Sequence, residues 1–237
     1  MKSLTIKLTA PLQSYGNEAN YEQRTTYAYP SKSAIIGMLG SALGITRDDK
    51  FNRINKLSEQ LSFAVRLDQI GTTLTDLQNI AYAAGMGKLK QSFRDYLQDA
   101  VFVVAIGGGN QVVDELVYAL RHPHYQLSLG RRACTPSGPL EIEVYDNLNP
   151  VEALNNVAWQ ASKWYQQSQR VDRVTLTIVA DAGLLPHHET FLMKDNVLSL
   201  SHYNRGYDYR LVAETKMEVI NPQAVGDTAM YDLFEAI

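Results

Sequence analysis

The chain opens on strict alternation. Leu4, Ile6 and Leu8 interleave with Thr5, Lys7 and Thr9, the two-residue period of a half-buried strand that Pro11 ends. The period changes near Pro30. Pro suits a first helical turn and Ser31 an N-cap, so a helix is predicted to begin there and run through an apolar segment to about Gly44. Ile35, Ile36, Met38, Leu39, Ala42 and Leu43 form its buried face, while Ser33, Gly37, Ser41 and Gly44 make a smooth stripe against which something should lie close. A second, amphipathic helix is predicted from Arg47-Asp48-Asp49 to about Gln60, with its aspartates as caps. Phe63, Val65 and Leu67 alternate over 61–68 and give a strand. The apolar run 101–106 is a buried strand closed by Gly107-Gly108-Gly109-Asn110, and 112–121 reads as a helix.

Strand, helix, strand, strand, helix is most of a ferredoxin-like, RRM-like β-α-β-β-α-β unit, which a strand over 140–145 would complete. Between the middle strands the pattern degrades over about 71–99. A connection of that length is usually functional, and its Gly and Lys residues suggest a projecting thumb. Beyond Pro150 a helix is predicted over 151–165, then strands over 174–179 and around 207–219. The expected organisation is therefore an α+β chain: a ferredoxin-like domain over 1–148 that includes the thumb, then a smaller β-rich part over 149–237.

Composition narrows the chemistry. The chain has 237 residues, net charge −3, and a single cysteine, Cys134. There is no global basic field, so any nucleic-acid binding must rest on local patches. One cysteine allows no internal disulfide and points to a reducing, cytoplasmic setting. The longest apolar segment is too short and Gly-rich to cross a bilayer, so no membrane partner is expected.

Such local patches exist. The loop after the first strand carries Gln13, Ser14, Tyr15, Asn17, Asn20, Tyr21, Arg24, Tyr27 and Tyr29, a mixture of amides, hydroxyls, rings and one guanidinium that suits single-stranded RNA; the bland alternative folds the rings onto the core. The predicted helix start offers free N–H groups with Ser31, Lys32 and Ser33, a candidate phosphate site whose alternative is simple close packing. In L-S-L-G-R-R-A-C, Arg131 and Arg132 follow a glycine and are aimed either at phosphates or at an internal carboxylate. Lys88 and Lys90 lie on the thumb.

Signals for catalysis are few. Walker A is absent, and the triple glycine lacks dinucleotide-fold spacing. Cys134 reads as a small structural hydrophobe. His122, His124, His187 and His188 lack zinc-like partners, and no metal or cofactor is expected; they could instead serve a metal-free ribonuclease, which needs a pair across the scissile phosphate.

The runs Leu8-Thr9-Ala10-Pro11-Leu12-Gln13-Ser14-Tyr15-Gly16, Tyr29-Pro30-Ser31-Lys32-Ser33, Phe63-Ala64-Val65-Arg66, Arg94-Asp95-Tyr96-Leu97-Gln98-Asp99-Ala100 and Leu129-Gly130-Arg131-Arg132-Ala133-Cys134, in that order, resemble the CasD-type subunit of the type I-E CRISPR Cascade complex. One departure is Tyr15, where that family usually has Trp. The resemblance implies a RAMP-superfamily protein that holds the 5′ handle of the CRISPR RNA and docks on the backbone subunit CasC and the large subunit CasA, with target DNA nearby, while a sister subunit cuts the precursor. Handle-facing residues would be Gln13, Ser14, Tyr15, Arg24, Ser31, Lys32 and Ser33, with Arg131, Arg132, Lys88 and Lys90 added. In type I-C systems the equivalent subunit is itself the nuclease, so a metal-independent endoribonuclease is the alternative; a small-molecule phosphate-binding enzyme is another.

Overall fold

A computed structural model describes residues 1–16, 22–49, 52–81, 89–201 and 203–224. Its largest unit is a seven-stranded antiparallel sheet. Strands β1 (Lys2–Thr9), β4 (Ser62–Gln69), β7 (Val101–Gly108) and β8 (Ile142–Tyr145) lie in the order β8-β1-β7-β4. That is the order of a ferredoxin-like unit. Leu4, Ile6 and Leu8 point to one face, where they pack with Ile35 and Leu39 of α1 (Lys32–Ala42) and Leu116 of α3 (Asn110–Arg121). The smooth stripe of α1 receives the chain's own elements. Leu200 lies over Gly37 and the His124 ring over Gly44; beside the stripe, Ile54 of α2 (Arg53–Gln60) sits where a Cβ on Gly40 would fall.

Residues expected as a separate β-rich part extend this same sheet. β9 (Arg173–Asp181) pairs with β4, and β11 (Gly206–Ile220) and β10 (Thr190–Ser199) follow outward from it. β10 was not foreseen, because Lys194, Asp195 and Asn196 interrupt its apolar run.

The predicted helix over 151–165 is broken. α4 (Pro150–Asn156) ends early, the chain extends through Val157, and only Lys163–Ser168 returns to helix as α5. The cause is a buried ion pair. Arg66, fully inside, bonds Asp68 through Nε and Nη2 at 2.7 and 2.8 Å and donates to the carbonyls of Leu154, Val157 and Ala158 at 2.6, 2.7 and 2.9 Å. The Val157 and Ala158 carbonyls are thereby held away from helical bonding, while the Leu154 carbonyl also takes the Val157 N–H at 3.3 Å where α4 ends. Asp68 Oδ2 accepts the Gln160 N–H, and the Asp68 carbonyl accepts from the Trp159 indole.

α4 also closes the sheet face opposite α1 and α3. Its Val151 and Leu154 pack with Ala64, Val103 and Ala105. In RRM domains that open face stacks bases; here part of it is core.

The irregular stretch expected over 71–99 is largely a hairpin. β5 (Thr72–Ala81) and β6 (Leu89–Gln98) pair from Thr72↔Gln98 onward, in a second sheet to which β2 (Leu12–Gln13) and β3 (Gln23–Arg24) add. Its sequence pattern looked degraded because Leu74, Leu77, Leu89 and Phe93 are exposed on it rather than alternating into a core.

Removing one partner of a buried pair strands the other charge at a cost of about 3–5 kcal/mol. Arg66→Met is expected to destabilise by about that amount, read by urea denaturation, because Asp68 and three carbonyls lose their donor.

Candidate nucleic-acid interface

Two of the three anticipated sites are closed by the chain itself. At the start of α1, Ser31 caps the helix by accepting from Ala34 N at 3.3 Å and lies 3.1 Å from the Ser33 hydroxyl. The next N–H, of Lys32, donates to Asp195 Oδ2 at 2.7 Å, so a carboxylate already occupies the positive end of the helix. Lys32 is 8 % exposed and its Nζ lies 3.2 Å from Asp181. Arg210 bridges both acids, through Nε and Nη2 to Asp195 at 2.6 and 3.0 Å and through Nη1 to Asp181 at 2.7 Å. Burial pulls the Arg210 guanidinium down, but Asp195 and Asp181 outweigh it, and its pKa stands above the ordinary value. Ser31, Lys32 and Ser33 therefore serve fold closure; a phosphate would have to displace a carboxylate that is itself held by arginine.

The first loop is likewise internal where it was expected to face RNA. Gln13 and Tyr15 are 0 % exposed. Gln13 donates to the Ala100 carbonyl at 2.7 Å and accepts from the Tyr15 hydroxyl at 2.6 Å, while Ser14 donates to the Asp95 carbonyl at 3.0 Å. The Tyr15 ring meets Phe102 edge-on, and burial pushes its pKa well up. None of these three side chains reaches a base as placed. Tyr27 and Tyr29 are also packed against the core, the bland alternative for this loop, and Asn17, Asn20 and Tyr21 lie outside the described residues.

What the buried loop does is position arginines. Ser14 N donates to the Leu129 carbonyl at 3.1 Å, which seats the Gly130-Arg131-Arg132 turn on it. Gly130 has φ +91°, and a Cβ there would collide with the Ser14 carbonyl, so only glycine allows this approach. Cys134 N donates back to the Arg131 carbonyl at 2.8 Å, closing the turn; the thiol is buried, which pushes its pKa up, as befits a structural residue.

Arg131 leaves that turn toward β3 and β6. Its Nη2 donates to the Arg24 carbonyl at 2.6 Å, across 107 residues of chain, and its guanidinium carbon stands 4.7 Å from the centre of the Tyr96 ring. Arg24 and Arg94 are paired in parallel register, and the pleat puts Arg94 on the same face as Tyr96. Arg24 and Arg132 are exposed. None of these four arginines has an acidic partner within ion-pair range among the described residues. Moreover, Arg94 Nε and Arg131 Nη1 are buried N–H groups with no acceptor. Donors left in that condition are uncommon and each has a desolvation cost. The structure thus brings together Arg24, Arg131 and Arg132 from the sequence reading, and adds Arg94. Its R-D-Y motif was visible, but only the strand pairing shows which way it faces. On the hairpin, Lys90 lies 3.4 Å from Glu22, and Lys88 falls outside the described residues.

His122 Nδ1 contacts the Tyr118 carbonyl after α3, and His188 Nδ1 that of Pro186 between β9 and β10. Among the described residues no cluster of three His, Cys, Asp or Glu could hold a metal ion, and no helix is long and apolar enough to cross a membrane.

A family model described as CRISPR-associated protein (Cas_Cas5) matches residues 3–199. The chain belongs to that family. It is 34 % identical over 170 residues to the CRISPR system Cascade subunit CasD of Escherichia coli strain K12, covering 65 % of this chain and 75 % of the relative. A chain of a CRISPR RNA-guided surveillance complex superposes with a TM-score of 0.73 at 26 % identity, over 98 % of each chain. A second solved structure, of a Cas protein, shares the fold with a TM-score of 0.63 at 24 % identity, over 93 % of this chain and 96 % of that one. The CasD-type resemblance carried by the sequence motifs is thereby upheld.

Removing Asp195 takes the carboxylate from the Lys32 N–H and from Arg210 Nε and Nη2, leaving Nη2 only the Met193 sulfur at 4.0 Å. Asp195→Ala is expected to cost about 3–5 kcal/mol of stability, visible as a lowered thermal midpoint, whereas Lys32→Met costs less, because Asp181 keeps Arg210 and the Phe63 N–H.

Proposed function

We propose that this protein is the subunit of a Cascade-type CRISPR complex that binds the CRISPR RNA near its 5′ handle, through phosphate contacts from Arg24, Arg94, Arg131 and Arg132, and that it does not cut it. The observation that carries this is the gathering of Arg24, Arg94 and Arg131, with Arg132 next in the chain, none with an acidic partner among the described residues and two with buried N–H groups lacking an acceptor, on a chain of net charge −3. An internal ion pair would have consumed those donors, as Asp195 and Asp181 consume Arg210. Phosphate oxygens satisfy them instead, and a planar fork such as Arg131 can bind two at once. Family membership and the likeness to the CasD subunit and to a chain of an RNA-guided surveillance complex support the same ligand.

Contacts of this kind position an RNA end without reading sequence; base pairing by the guide then reads the target. The remaining partners follow from the same relationship: a backbone subunit and a large subunit, with the chain acting in the cytoplasm. The likeness to the CasD subunit favours a holding role over the endoribonuclease alternative, which needs an acid and a base on opposite sides of one phosphate.

The test is retention of labelled CRISPR repeat RNA by the purified chain and by the assembled complex, with and without EDTA. Retained, uncut RNA is expected in both. Arg131→Ala and Arg24→Ala should each weaken retention several-fold, with the slope of log K against log salt reduced by about 1 per arginine. Lys32→Met, if folded, should leave RNA affinity unchanged. A metal-independent cleavage product would move the assignment to the nuclease reading, and loss of affinity in Lys32→Met without change in Arg131→Ala would return the site to α1.

A further inference from the structure

At the other end of the large sheet, the antiparallel pair β10–β11 exposes rings and cations that neither the core nor the proposed RNA contacts use. Tyr209 is 53 % exposed and Tyr203, between the two strands, 95 %. Lys194 Nζ stands 5.6 Å from the centre of the Tyr209 ring, and the Arg205 guanidinium carbon 5.8 Å from that of Tyr207. The backbone arranges one of these meetings. Pairing shifts register between Met193 and Asn196, and there Lys194 lies over Tyr209 while its neighbour Asp195 turns in to the Lys32 N–H. Leu192 and Leu211, both exposed, pair directly across the strands beside them. Arg205 makes no ion pair among the described residues, and the acid nearest to it in the chain, Asp208, accepts the Tyr209 N–H on Oδ1 at 2.8 Å.

Cations interleaved with exposed rings suit a single strand of nucleic acid, because cations meet phosphates and rings stack on bases of any sequence. The two leucines alone would suit a protein; the cations set on the rings favour a polyanion. That strand is not the segment of guide held by the arginines. β9, β4 and β7 separate β11 from β1, whose end leads into the first loop, and four steps of about 4.8 Å put the two about 19 Å apart. A guided complex also opens the duplex it reads, which leaves one strand without a pairing partner. The sequence of that strand changes with every target, so contacts that do not read bases are the ones that can hold it. Resting on the RNA-guided reading above, we infer that the β10–β11 pair binds the single DNA strand displaced when the guide pairs with its target, with Tyr203 and Tyr209 stacking on bases and Lys194 and Arg205 meeting phosphates.

The experiment is fluorescence anisotropy of a labelled single-stranded DNA of mixed sequence, titrated with the purified chain alone and after saturation with CRISPR repeat RNA. DNA binding is expected to persist with the RNA bound. Tyr209→Ala should weaken the DNA roughly tenfold, the scale of one lost stacking contact, and leave retention of repeat RNA unchanged, whereas Tyr209→Phe, which keeps the ring, should bind both as the unmodified chain does. Arg205→Ala should lower the slope of log K against log salt for the DNA by about 0.7, the value for one phosphate of a single strand. Arg131→Ala should do the reverse of Tyr209→Ala, weakening RNA and sparing DNA. Absence of DNA binding, displacement of the DNA by repeat RNA, or equal loss of both nucleic acids in Tyr209→Ala overturns the second site while leaving the arginine contacts standing. DNA affinity that Tyr209→Ala leaves unchanged overturns it too, and if that variant then fails to enter the assembled complex, the surface is a protein interface. A chain that binds DNA through Tyr209 but retains no RNA overturns the arginine assignment alone.

Discussion

The carboxylate of Asp195 on the first N–H of α1 is the contact from which the division of labour in this molecule follows. It joins an edge strand near the chain's end to a helix near its start, and through Arg210 and Asp181 it locks β9, β10 and β11 to the ferredoxin-like unit. A helix N-terminus is a ready anion site, and here the anion is internal. The positive end of the helix dipole, one lysine and one arginine are met by two acids, Asp195 buried and Asp181 half-buried. That charge is met inside the chain, which turns the proposed RNA contacts toward another part of the molecule.

A second group of cations lies at the second sheet. Arg24, Arg94 and Arg131 come from three distant segments and are held by backbone geometry rather than by counter-charges: parallel pairing of β3 with β6, a glycine turn pressed on Ser14, and a tyrosine ring beneath one guanidinium. Like charges so placed repel one another, and two of their N–H groups have no acceptor. The proposed phosphate contacts would relieve both costs. A chain with a small negative net charge can therefore bind RNA locally while avoiding indiscriminate attachment to nucleic acid.

The sequence made the scaffold legible because its determinants are local: alternation in β1, the cap and apolar face of α1, and the glycine-closed run of β7 each need only their own neighbours. It misled where long-range contacts decide. The helix predicted over 151–165 breaks because Arg66, about ninety residues earlier, claims its carbonyls, and no local propensity records that. Gln13, Ser14, Tyr15 and Lys32 look like ligands for RNA because polar and aromatic residues in a loop are the chemistry RNA needs; burial converts the same chemistry into packing. The G-R-R turn was readable in kind, since a glycine before paired arginines implies an aimed turn. Its target was not, because the Arg24 carbonyl and the Tyr96 ring reach it only through the second sheet.

That second sheet also explains why recognition sits at an edge rather than on the broad sheet. In an RRM-like unit the face opposite the helices is the natural platform for bases, yet here Val151 and Leu154 of α4 cover Val103 and Ala105, and the segment beyond is pinned by Arg66 and Asp68. Burying that face stabilises a large antiparallel sheet, but it removes the open stacking surface. The hairpin β5–β6 exposes apolar side chains of its own, Leu74, Leu77, Leu89 and Phe93, with Arg94 on its second strand, and is the proposed replacement. Rings and cations that an RRM would gather on two central strands are thus redistributed to the junction of hairpin, first loop and G-R-R turn, and all three of those segments meet on β6 or on residues it holds.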